Sequence, residues 1–407
     1  MNSPLLQQVQ IRNYKNIASA VVDMKPLTVL VGPNGAGKSN FIDALIFVAE
    51  SLNHSVHLAF ANRSGIAAVR RQSGGHPNHV GMRFRIAFPN NSIADYSFDI
   101  AAKPKEAFRI ARERCVVEPF MDKRVEFEIK EGHFVKEVSG IRPRLEPDRL
   151  ALALLSGVEE FRPVYDFLTD IRRYSVRPER LRELQDLDPA EGQTLNPDGS
   201  NAASVLRRLR SEDEELYERI CHLLSVVVPG VESVEPKMLE QKEMLVFRQQ
   251  MKGQRHPWSF SALSMSDGTL RVLGILLAVY QSKNAPLIAI EEPESTIHPA
   301  AADALMDILI DGSHRSQVLI TTHSPDILDN KKLSDNQILV VESIEGTARI
   351  TPLTQNAKAI LRDHLYTPGE LLRIGELETD PDYAEQSDKQ LNLFGGHYEA
   401  IGDSADC

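Results

Sequence analysis

The apolar and polar positions of the chain repeat in two patterns, one typical of buried strands and one typical of helices. The run Leu27–Val31 is apolar and β-branched, and apolar side chains over 41–49 recur at helical spacing, so a strand followed by a helix is predicted. A second set lies further on, where a helix predicted over 270–281 precedes apolar runs at 285–290 and 318–322. Strands alternating with helices predict an α/β fold.

The middle of the chain shows a different organisation in each of its two parts. Residues 80–140 alternate apolar and polar positions and contain Pro-Asn-Asn and Glu-Gly turn signals, which predict a lobe of antiparallel strands. Residues 145–225 predict short helices that Pro178, Pro189 and Pro197 interrupt, with no sustained heptad repeat. We therefore expect a compact helical insert here rather than a long coiled coil.

Composition narrows the class of protein. The 407 residues are 42% apolar and 25% charged, as in a soluble globular protein with a sizeable core. The 46 Lys and Arg against 57 Asp and Glu leave a net charge of −11, which excludes DNA binding by bulk charge but leaves a local basic groove open. No apolar run approaches the about 20 residues of a membrane span, and the N-terminus lacks the apolar core of a signal peptide. These features, with three cysteines in no disulfide or zinc spacing, predict a cytoplasmic protein without membrane contact.

A phosphate-binding loop follows the first predicted strand, because the segment from Gly32 to Ser39 matches the pattern G-x-x-x-x-G-K-S. Its glycines let backbone N–H groups point at phosphate oxygens, and the helix N-terminus adds partial positive charge. Lys38 is expected to reach the β- and γ-phosphates, and Ser39 to bind Mg²⁺. The residues expected to bind the nucleotide are Gly32, Asn34, Gly35, Ala36, Gly37, Lys38, Ser39 and Asn40. The loop alone fits kinases, GTPases, helicases and transporter engines.

Acidic residues end the strand predicted over 285–290, and a histidine ends the next strand. Glu291 can hold Mg²⁺ through water, although Asp is more usual at this position, and Glu292 can orient and polarise an attacking water. His323 follows the run at 318–322 and can hydrogen-bond a γ-phosphate. For the carboxylates alone, solvated acids at the end of an ordinary strand are an open alternative; the phosphate loop favours the catalytic interpretation.

Further motifs complete an ordered set. The segment 9–17 reads Val-Gln-Ile-Arg-Asn-Tyr-Lys-Asn-Ile, the segment 195–201 reads Leu-Asn-Pro-Asp-Gly-Ser-Asn, and Ser-Asp-Gly-Thr at 266–269 precedes a predicted helix. With the phosphate loop, the Glu-Glu-Pro-Glu strand end and the Thr-His-Ser-Pro segment, this order resembles the ABC-type ATPases of the SMC/RecF/OLD group, and more narrowly its stand-alone bacterial AAA family ATPases. The resemblance covers roughly residues 6–375. It implies an α/β P-loop NTPase fold, an ABC-type head with a mixed β-sheet core, the antiparallel lobe and the helical insert.

The resemblance also implies a composite site for ATP and Mg²⁺. In this family two heads form a homodimer that sandwiches two ATP molecules, each touching the phosphate loop of one head and the signature of the other. Ser266 and Gly268 are thereby implied as contacts to the partner's ATP, although the usual Leu-Ser-Gly-Gly signature is Met-Ser-Asp-Gly here and the residues alone also fit an ordinary helix cap. Glu292 is implied as the catalytic base and His323 as the switch. The remaining implied residues are Lys15 or Asn16 at the phosphates or the adenine, and Gln72 as the glutamine that links metal and water.

The predicted division of the chain has four parts. Residues 1–144 form the N-terminal part of the ATPase head, 145–230 the helical insert, 231–375 the C-terminal part with signature and carboxylates, and 376–407 an acidic, flexible tail. The tail carries no strand-borne set of acidic residues, so no toprim nuclease domain is expected.

Two classes of function fit these features. One is an ATP-hydrolysing switch that dimerises around ATP and acts on DNA or a partner effector, in genome maintenance or phage defence. The other is an ATP-binding scaffold with slow or no turnover that regulates a separate nuclease or toxin. The arginines of the insert fit a DNA- or partner-binding face or, as favoured, a salt-bridged surface, because acids interleave with them. Residues 390–394, Gln390-Leu-Asn-Leu-Phe394, resemble the pentapeptide that docks bacterial proteins on the replication sliding clamp; the alternative is that their apolar side chains fold back onto the body.

Overall fold

The computed structural model describes residues 3–71, 79–104, 107–120, 123–138, 140, 143–251, 253–283 and 285–395. The strands are β1 Leu5–Tyr14, β2 Ile17–Asp23, β3 Leu27–Val31, β4 His79–Ala87, β5 Ile93–Ala102, β6 Phe108–Phe120, β7 Lys123–Lys130, β8 His133–Lys136, β9 Arg172–Tyr174, β10 Gln185–Asp186, β11 Val231–Leu239, β12 Lys242–Gln249, β13 Trp258–Ser261, β14 Leu287–Glu291, β15 Gln317–Thr322, β16 Ile338–Ile344 and β17 Thr347–Pro352. The helices are α1 Lys38–Asn53, α2 Val56–Ala61, α3 Ile66–Val69, α4 Ala151–Leu154, α5 Arg162–Thr169, α6 Pro178–Arg182, α7 Ala202–Glu212, α8 Glu214–Val227, α9 Asp267–Tyr280, α10 Ala302–Gly312, α11 Pro325–Leu328, α12 Gln355–Arg362, α13 Pro368–Ile374 and α14 Pro381–Gln390.

The chain folds as two compact units, and its course passes from the first to the second and back. Unit 1 comprises residues 1–171, 335–363 and 376–407, and unit 2 comprises residues 172–334 and 364–375. This division differs from the predicted one. The first change of unit falls inside the predicted helical insert. Residues 335–363 return to unit 1, where β16 and β17 join its sheet, and residues 364–375 belong again to unit 2.

Unit 1 is built on a mixed sheet with the strand order β8-β7-β6-β5-β4-β1-β2-β17-β16-β3. The pairs from β8 to β2 are antiparallel, which is the predicted antiparallel lobe, whereas β16 lies parallel to β3. The apolar stripe predicted after the phosphate loop is the buried face of α1, where Phe47 meets Tyr14 with ring centroids 5.8 Å apart. The sheet and this helix form the core of unit 1, and the phosphate loop connects β3 of the sheet to α1.

Strand β6 is the longest described strand of unit 1, and it lies within the stretch 80–140 for which antiparallel strands are predicted. Its outward positions are charged: Arg112 Nε donates to Glu128 Oε1 at 2.8 Å, and Arg114 Nη2 donates to Glu126 Oε2 at 2.9 Å, both across to β7. Cross-strand ion pairs of this kind stabilise the face of a sheet. Their partners lie on the next strand, so a pattern read within one segment does not show them.

Unit 2 contains two sheets. One has the order β15-β14-β9, with both pairs parallel, and the other has the order β10-β12-β11 with β13 added on β12. The strands β9 and β10 lie inside the segment 145–230 that was predicted to be helical, so that prediction is wrong for these short stretches. Helix α9 is buried along almost its whole length, which makes it the central helix of the unit.

The stretch after residue 376 was predicted to be flexible, but the structure orders it as far as residue 395. Asp380 caps α14 by accepting hydrogen bonds from the backbone N–H groups of Asp382 and Tyr383. Ser387 Oγ accepts a hydrogen bond of 2.9 Å from the backbone N–H of Val21 on β2. Residues 376–395 are therefore an integral part of unit 1, and residues 396–407 lie outside the described ones.

Residues 391–395, here called the C-terminal segment, follow α14 and lie on the strands of the antiparallel lobe. The contacts are Arg83 Nη1 to the backbone oxygen of Asn392 at 2.9 Å, Arg114 Nη1 to the backbone oxygen of Phe394 at 2.9 Å, and the Arg112 guanidinium at 4.1 Å from the centre of the Phe394 ring. Leu393 is only 4% exposed. The clamp-like pentapeptide thus folds back onto the body, which was the alternative to clamp docking.

In the part of the chain that the structure describes, no helix combines the length and the apolar character needed to cross a lipid bilayer.

Candidate nucleotide-binding and catalytic site

The phosphate loop has the geometry that the sequence predicts. Strand β3 is buried throughout and ends at Val31, and the chain turns through the loop to begin α1 at Lys38. Gly37 has φ 119°, and a Cβ there would lie 2.6 Å from the Cβ of Ala348, so this position requires glycine. None of the described side chains caps α1, and its N-terminal partial positive charge therefore faces the loop.

Lys38 lies inside the loop and is 5% exposed. Its Nζ donates hydrogen bonds to the backbone oxygens of Gly32, at 2.6 Å, and Pro33, at 3.0 Å. Main-chain carbonyls are weak partners for an ammonium compared with the charged oxygens of a phosphate. The buried lysine, the left-handed glycine and the helix N-terminus together fit a bound triphosphate.

The turn between β1 and β2 supports the loop, but its two candidate residues have different positions. Asn16 lies at the loop: its Nδ2 donates to the backbone oxygen of Ala36 at 3.3 Å, and its Oδ1 accepts from Asn40 Nδ2 at 2.8 Å. Lys15 instead points at α1, with its Nζ 2.6 Å from Asp43 Oδ2. We conclude that Asn16 braces the loop, whereas the ammonium of Lys15 pairs with a carboxylate. The predicted contact of either residue with a nucleotide stays a prediction.

Asp43 is the centre of a buried polar cluster behind the loop. It accepts hydrogen bonds from Arg63 Nε at 3.0 Å and from the hydroxyl of Tyr14 at 2.7 Å, besides its ion pair with Lys15. Burial alone would raise the pKa of Asp43, but the hydrogen bonds from Arg63 and Lys15 outweigh it and lower the pKa. The cluster fixes the β1–β2 turn to α1.

The catalytic candidates of unit 2 lie at the ends of β14 and β15. These strands are parallel with Glu291 opposite Thr321, so the residues that follow them meet at one edge of the sheet. Glu292 Oε1 lies 3.4 Å from His323 Nδ1, and Glu292 Oε2 lies 3.4 Å from Ser295 Oγ. The structure thus brings the predicted base and the predicted switch together.

Glu291 and Glu292 differ in their surroundings. Glu291 Oε1 lies 3.9 Å from Arg173 Nη1 on the neighbouring strand β9. Glu292 has φ 44°, a left-handed conformation that side-chain-bearing residues seldom adopt, and its backbone N–H donates to the backbone oxygen of Thr321 at 3.0 Å. The turn therefore projects the Glu292 carboxylate away from the strand direction, toward His323.

Glu294 belongs to the same turn, and the sequence reasoning gave it no role. Its Oε1 accepts a hydrogen bond of 2.5 Å from Thr322 Oγ1, and burial raises its pKa. This contact ties the turn after β14 to the end of β15. The sequence holds a signal that could have found this contact. Glu294 and Thr322 are polar residues close to the two catalytic candidates, Glu292 and His323, at the ends of two strands expected to be neighbours.

The signature residues open helix α9. Ser266 is the N-cap, and its Oγ accepts a hydrogen bond of 3.2 Å from the backbone N–H of Thr269, as the cap prediction requires. A Cβ on Gly268 would lie 2.6 Å from the backbone oxygen of Thr296, so glycine is needed there for packing within the unit. Arg182 Nη2, from α6, donates to the backbone oxygen of Met265 at 2.9 Å and forms an ion pair with Asp267.

The candidates are thus distributed over both units. The phosphate-loop residues, Lys15 and Asn16 lie in unit 1, and Ser266, Gly268, Glu291, Glu292 and His323 lie in unit 2. Gln72 lies outside the described residues, so its predicted role stays a prediction. Most of the arginines described in the predicted insert form ion pairs with carboxylates, as expected of a solvated surface: Arg149 with Glu146, Arg162 with Asp166, Arg173 with Glu291, Arg180 with Glu183, and Arg182 with Asp267.

Comparison with known proteins finds a family whose model matches most of this chain. The model of the family described as "AAA domain, putative AbiEii toxin, Type IV TA system" matches residues 27–329. A segment of 44 residues is 43% identical to the chromosome partition protein Smc of Methanocaldococcus jannaschii, and it spans 11% of this chain and only 4% of that protein.

Solved structures share the fold. The chain is similar to a structure of the Smc head bound to the C-winged helix domain of ScpA, with a TM-score of 0.55, 13% identity, and coverage of 87% of this chain and 99% of that one. It is also similar to the Smc head domain with an extended coiled coil bound to the C-terminal domain of ScpA, derived from Pyrococcus furiosus, with a TM-score of 0.51, 13% identity, and coverage of 89% and 100%. These likenesses confirm the predicted P-loop NTPase fold with an SMC-head-like mixed sheet.

Proposed function

The chain belongs to the AAA-domain family whose model spans residues 27–329, and from this membership we propose that it is an ATPase that binds ATP with Mg²⁺ and hydrolyses it. The observation that carries the proposal is the Glu292 turn. A carboxylate held in a left-handed backbone conformation, with one oxygen 3.4 Å from His323, is poised to accept a proton from an attacking water. Its other oxygen lies 3.4 Å from the Ser295 hydroxyl, so the carboxylate has two polar side-chain partners that a merely solvated acid at a strand end lacks.

The residues have distinct proposed roles. The ammonium of Lys38 binds the β- and γ-phosphates, and the loop N–H groups with the α1 N-terminus bind the remaining oxygens. Glu292 holds the water and takes its proton, while His323 donates a hydrogen bond to the phosphate oxygen that gains charge. Ser39 and Glu291 would hold Mg²⁺, which when bound neutralises charge on the phosphates.

Replacement of the base tests the proposal directly. Glu292→Gln should lower the rate of phosphate release from ATP by about 10²–10⁴-fold, because the amide cannot accept the proton, and ATP affinity should be unchanged. The matched control is Glu218→Gln, at an exposed position of α8 in the same unit. A Glu292→Gln protein with the wild-type rate would contradict the assignment of the base.

We also propose that two copies dimerise around ATP, with Ser266 and Gly268 of one copy contacting the nucleotide of the other. The backbone N–H groups at the N-terminus of α9 support this role, and the carboxylate of Asp267 on the same turn is paired with Arg182. With ATP, Glu292→Gln should elute as a stable dimer in size-exclusion chromatography with light scattering, and Ser266→Arg should stay a monomer. Identical elution of both variants with and without ATP would exclude the sandwich.

The dimer is proposed to act as a switch on DNA or on a partner effector, in genome maintenance or phage defence. A scaffold that binds ATP with slow or no turnover and regulates a separate nuclease or toxin is the second candidate. Two observations favour slow turnover: Glu291 stands where Asp is usual and has Arg173 at 3.9 Å, and Asp267 replaces a signature glycine. Tight ATP binding with no measurable phosphate release from the wild-type chain would select the scaffold.

A further inference from the structure

Arg271, on the second turn of α9, joins the signature helix to the turn that carries Glu292. Its Nη2 donates hydrogen bonds to the backbone oxygen of Glu291 at 3.1 Å and to the backbone oxygen of Glu292 at 3.0 Å. Both acceptors belong to the peptide groups that flank the proposed base. One guanidinium nitrogen therefore fixes the main chain on the C-terminal side of each of the two carboxylate residues.

These hydrogen bonds hold a backbone that would otherwise relax. Glu292, at φ 44°, has its N–H engaged by Thr321, and its carbonyl oxygen accepts hydrogen bonds from the Ser295 N–H, at 3.0 Å within the turn, and from Arg271. Residues held in left-handed conformations persist when their surroundings over-determine them. Removal of the guanidinium takes away the side-chain donor shared by the Glu291 and Glu292 carbonyls and leaves Glu292 held by Thr321 and Ser295 alone, so its carboxylate gains freedom to rotate away from His323.

A second contact joins the same two elements. The backbone oxygen of Thr296, which itself has φ 66°, lies so close to Gly268 that a Cβ there would be 2.6 Å away. Helix α9 thus contacts the turn 292–298 both at its first residues and five residues beyond the Ser266 cap. The end of α9 that carries the signature and the turn that carries the base are held as one block within unit 2.

The charge on Arg271 suits this position. The side chain is largely buried, and burial lowers its pKa, while the nearby carboxylates of Glu294 and Glu292 raise it. An arginine stays protonated at neutral pH under such shifts, and its Nη2 carries two N–H groups, which suffice for the two carbonyls. A lysine retains the charge but presents a compact ammonium on a shorter stem.

We propose that Arg271 is a positioning residue that sets the geometry of Glu292 and transmits movement of the signature helix to it. The inference rests on the proposed ATPase function and deepens it. When a phosphate of the second copy's ATP engages Ser266, a shift of α9 moves the carbonyls of Glu291 and Glu292 with it. Occupation of the signature in one copy thereby aligns the catalytic base in that same copy.

The test is a double-mutant cycle on ATP hydrolysis in the full chain. Arg271→Met should lower kcat by roughly 10- to 100-fold, the effect of a misplaced catalytic group, with KM for ATP within about twofold of wild type. Arg271→Lys should recover part of kcat. In the Glu292→Gln background, Arg271→Met should cause no further loss, because a residue that acts only through Glu292 has nothing left to position.

The matched control is Arg208→Met on α7, which removes another partly buried arginine of unit 2, one that pairs with Glu212. Thermal melting of each variant reports folding, and if Arg271→Met does not fold, Arg271→Lys carries the same cycle. The inference is overturned if Arg271→Met and Glu292→Gln lower kcat independently, so that their effects multiply in the double variant. It is also overturned if Arg271→Met alone has the wild-type kcat. Wild-type activity of Glu292→Gln alone would instead overturn the proposed function, so the two failures are distinguishable.

Discussion

Replacing Leu393 with Ala should release the C-terminal segment from the antiparallel lobe without unfolding unit 1. Leu393 is 4% exposed and lies over Gly81 on β4, whose missing side chain leaves room for it. Burial of a leucine contributes about 1.5–3 kcal/mol, and loss of about 2 kcal/mol shifts an equilibrium roughly 30-fold. The arginine contacts to the segment's backbone oxygens do not involve the leucine side chain, so the effect should be confined to docking of the segment.

Amide hydrogen exchange measures this docking residue by residue. The backbone N–H of Asn392 donates to Gln10 Oε1 at 3.2 Å, so it is protected only while the segment is docked. In Leu393→Ala its exchange should be roughly 30-fold faster, with the amides of α1 unchanged. Val135→Ala, at an exposed position of β8 in the same lobe, is the control. Unchanged exchange at Asn392 would refute the reasoning that Leu393 anchors the segment.

Three further predictions concern the C-terminal segment, the polar cluster around Asp43 and the buried carboxyl group of Glu113. Gly81→Val should displace the C-terminal segment, because the added side chain would occupy the place of Leu393. If a sliding clamp binds residues 390–394, the full Gly81→Val chain should bind purified clamp as tightly as a free peptide of residues 386–398 does. No binding by either the chain or the peptide would exclude the clamp as a partner. Asp43→Asn should lower the free energy of unfolding by about 2 kcal/mol in urea titrations, because the buried guanidinium of Arg63 loses one of its two carboxylates and keeps only Glu50. The control Asp166→Asn, in an exposed pair, should change little. Burial raises the pKa of Glu113 to about 7, so the folded chain keeps a proton that the unfolded chain releases above about pH 4.5. Stability should therefore fall by about 1 kcal/mol per pH unit from pH 5 to 7 relative to Glu113→Gln, and equal pH slopes of the two proteins would contradict this.

The parts of the structure that the sequence predicts are those encoded by neighbouring residues. The strand before the phosphate loop has the predicted bounds Leu27–Val31, and the Ser266 cap begins α9 as expected. Apolar periodicity, a capping side chain and a glycine pattern act over a few residues, so one sequence is sufficient to read them. The same holds for Glu292 and His323, which end two apolar runs whose parallel pairing brings them within 3.4 Å.

The parts that it does not predict depend on partners distant in the chain. The docking of Leu393 is decided by Gly81 and by two arginines, more than 270 residues earlier. The return of β16 to unit 1 is decided by its parallel pairing with β3, which no local signal announces. Arg271 was missed for a related reason: its acceptors are backbone oxygens, and these leave no trace in side-chain patterns.

The signature differs from its usual sequence by a charged residue, Asp267, and an arginine of the predicted insert, Arg182, compensates for that charge. Asp267 places a carboxylate on the first turn of α9, where the helix dipole stabilises its negative charge. The same charge repels an approaching triphosphate. Arg182 pairs with that carboxylate and holds the backbone oxygen of Met265, so the added negative charge is offset at the place where it arises. A glycine at this position needs no such partner. In the proposed dimer the Asp267–Arg182 pair therefore stands beside Ser266 with its charges balanced, at the position where the usual signature has an uncharged glycine.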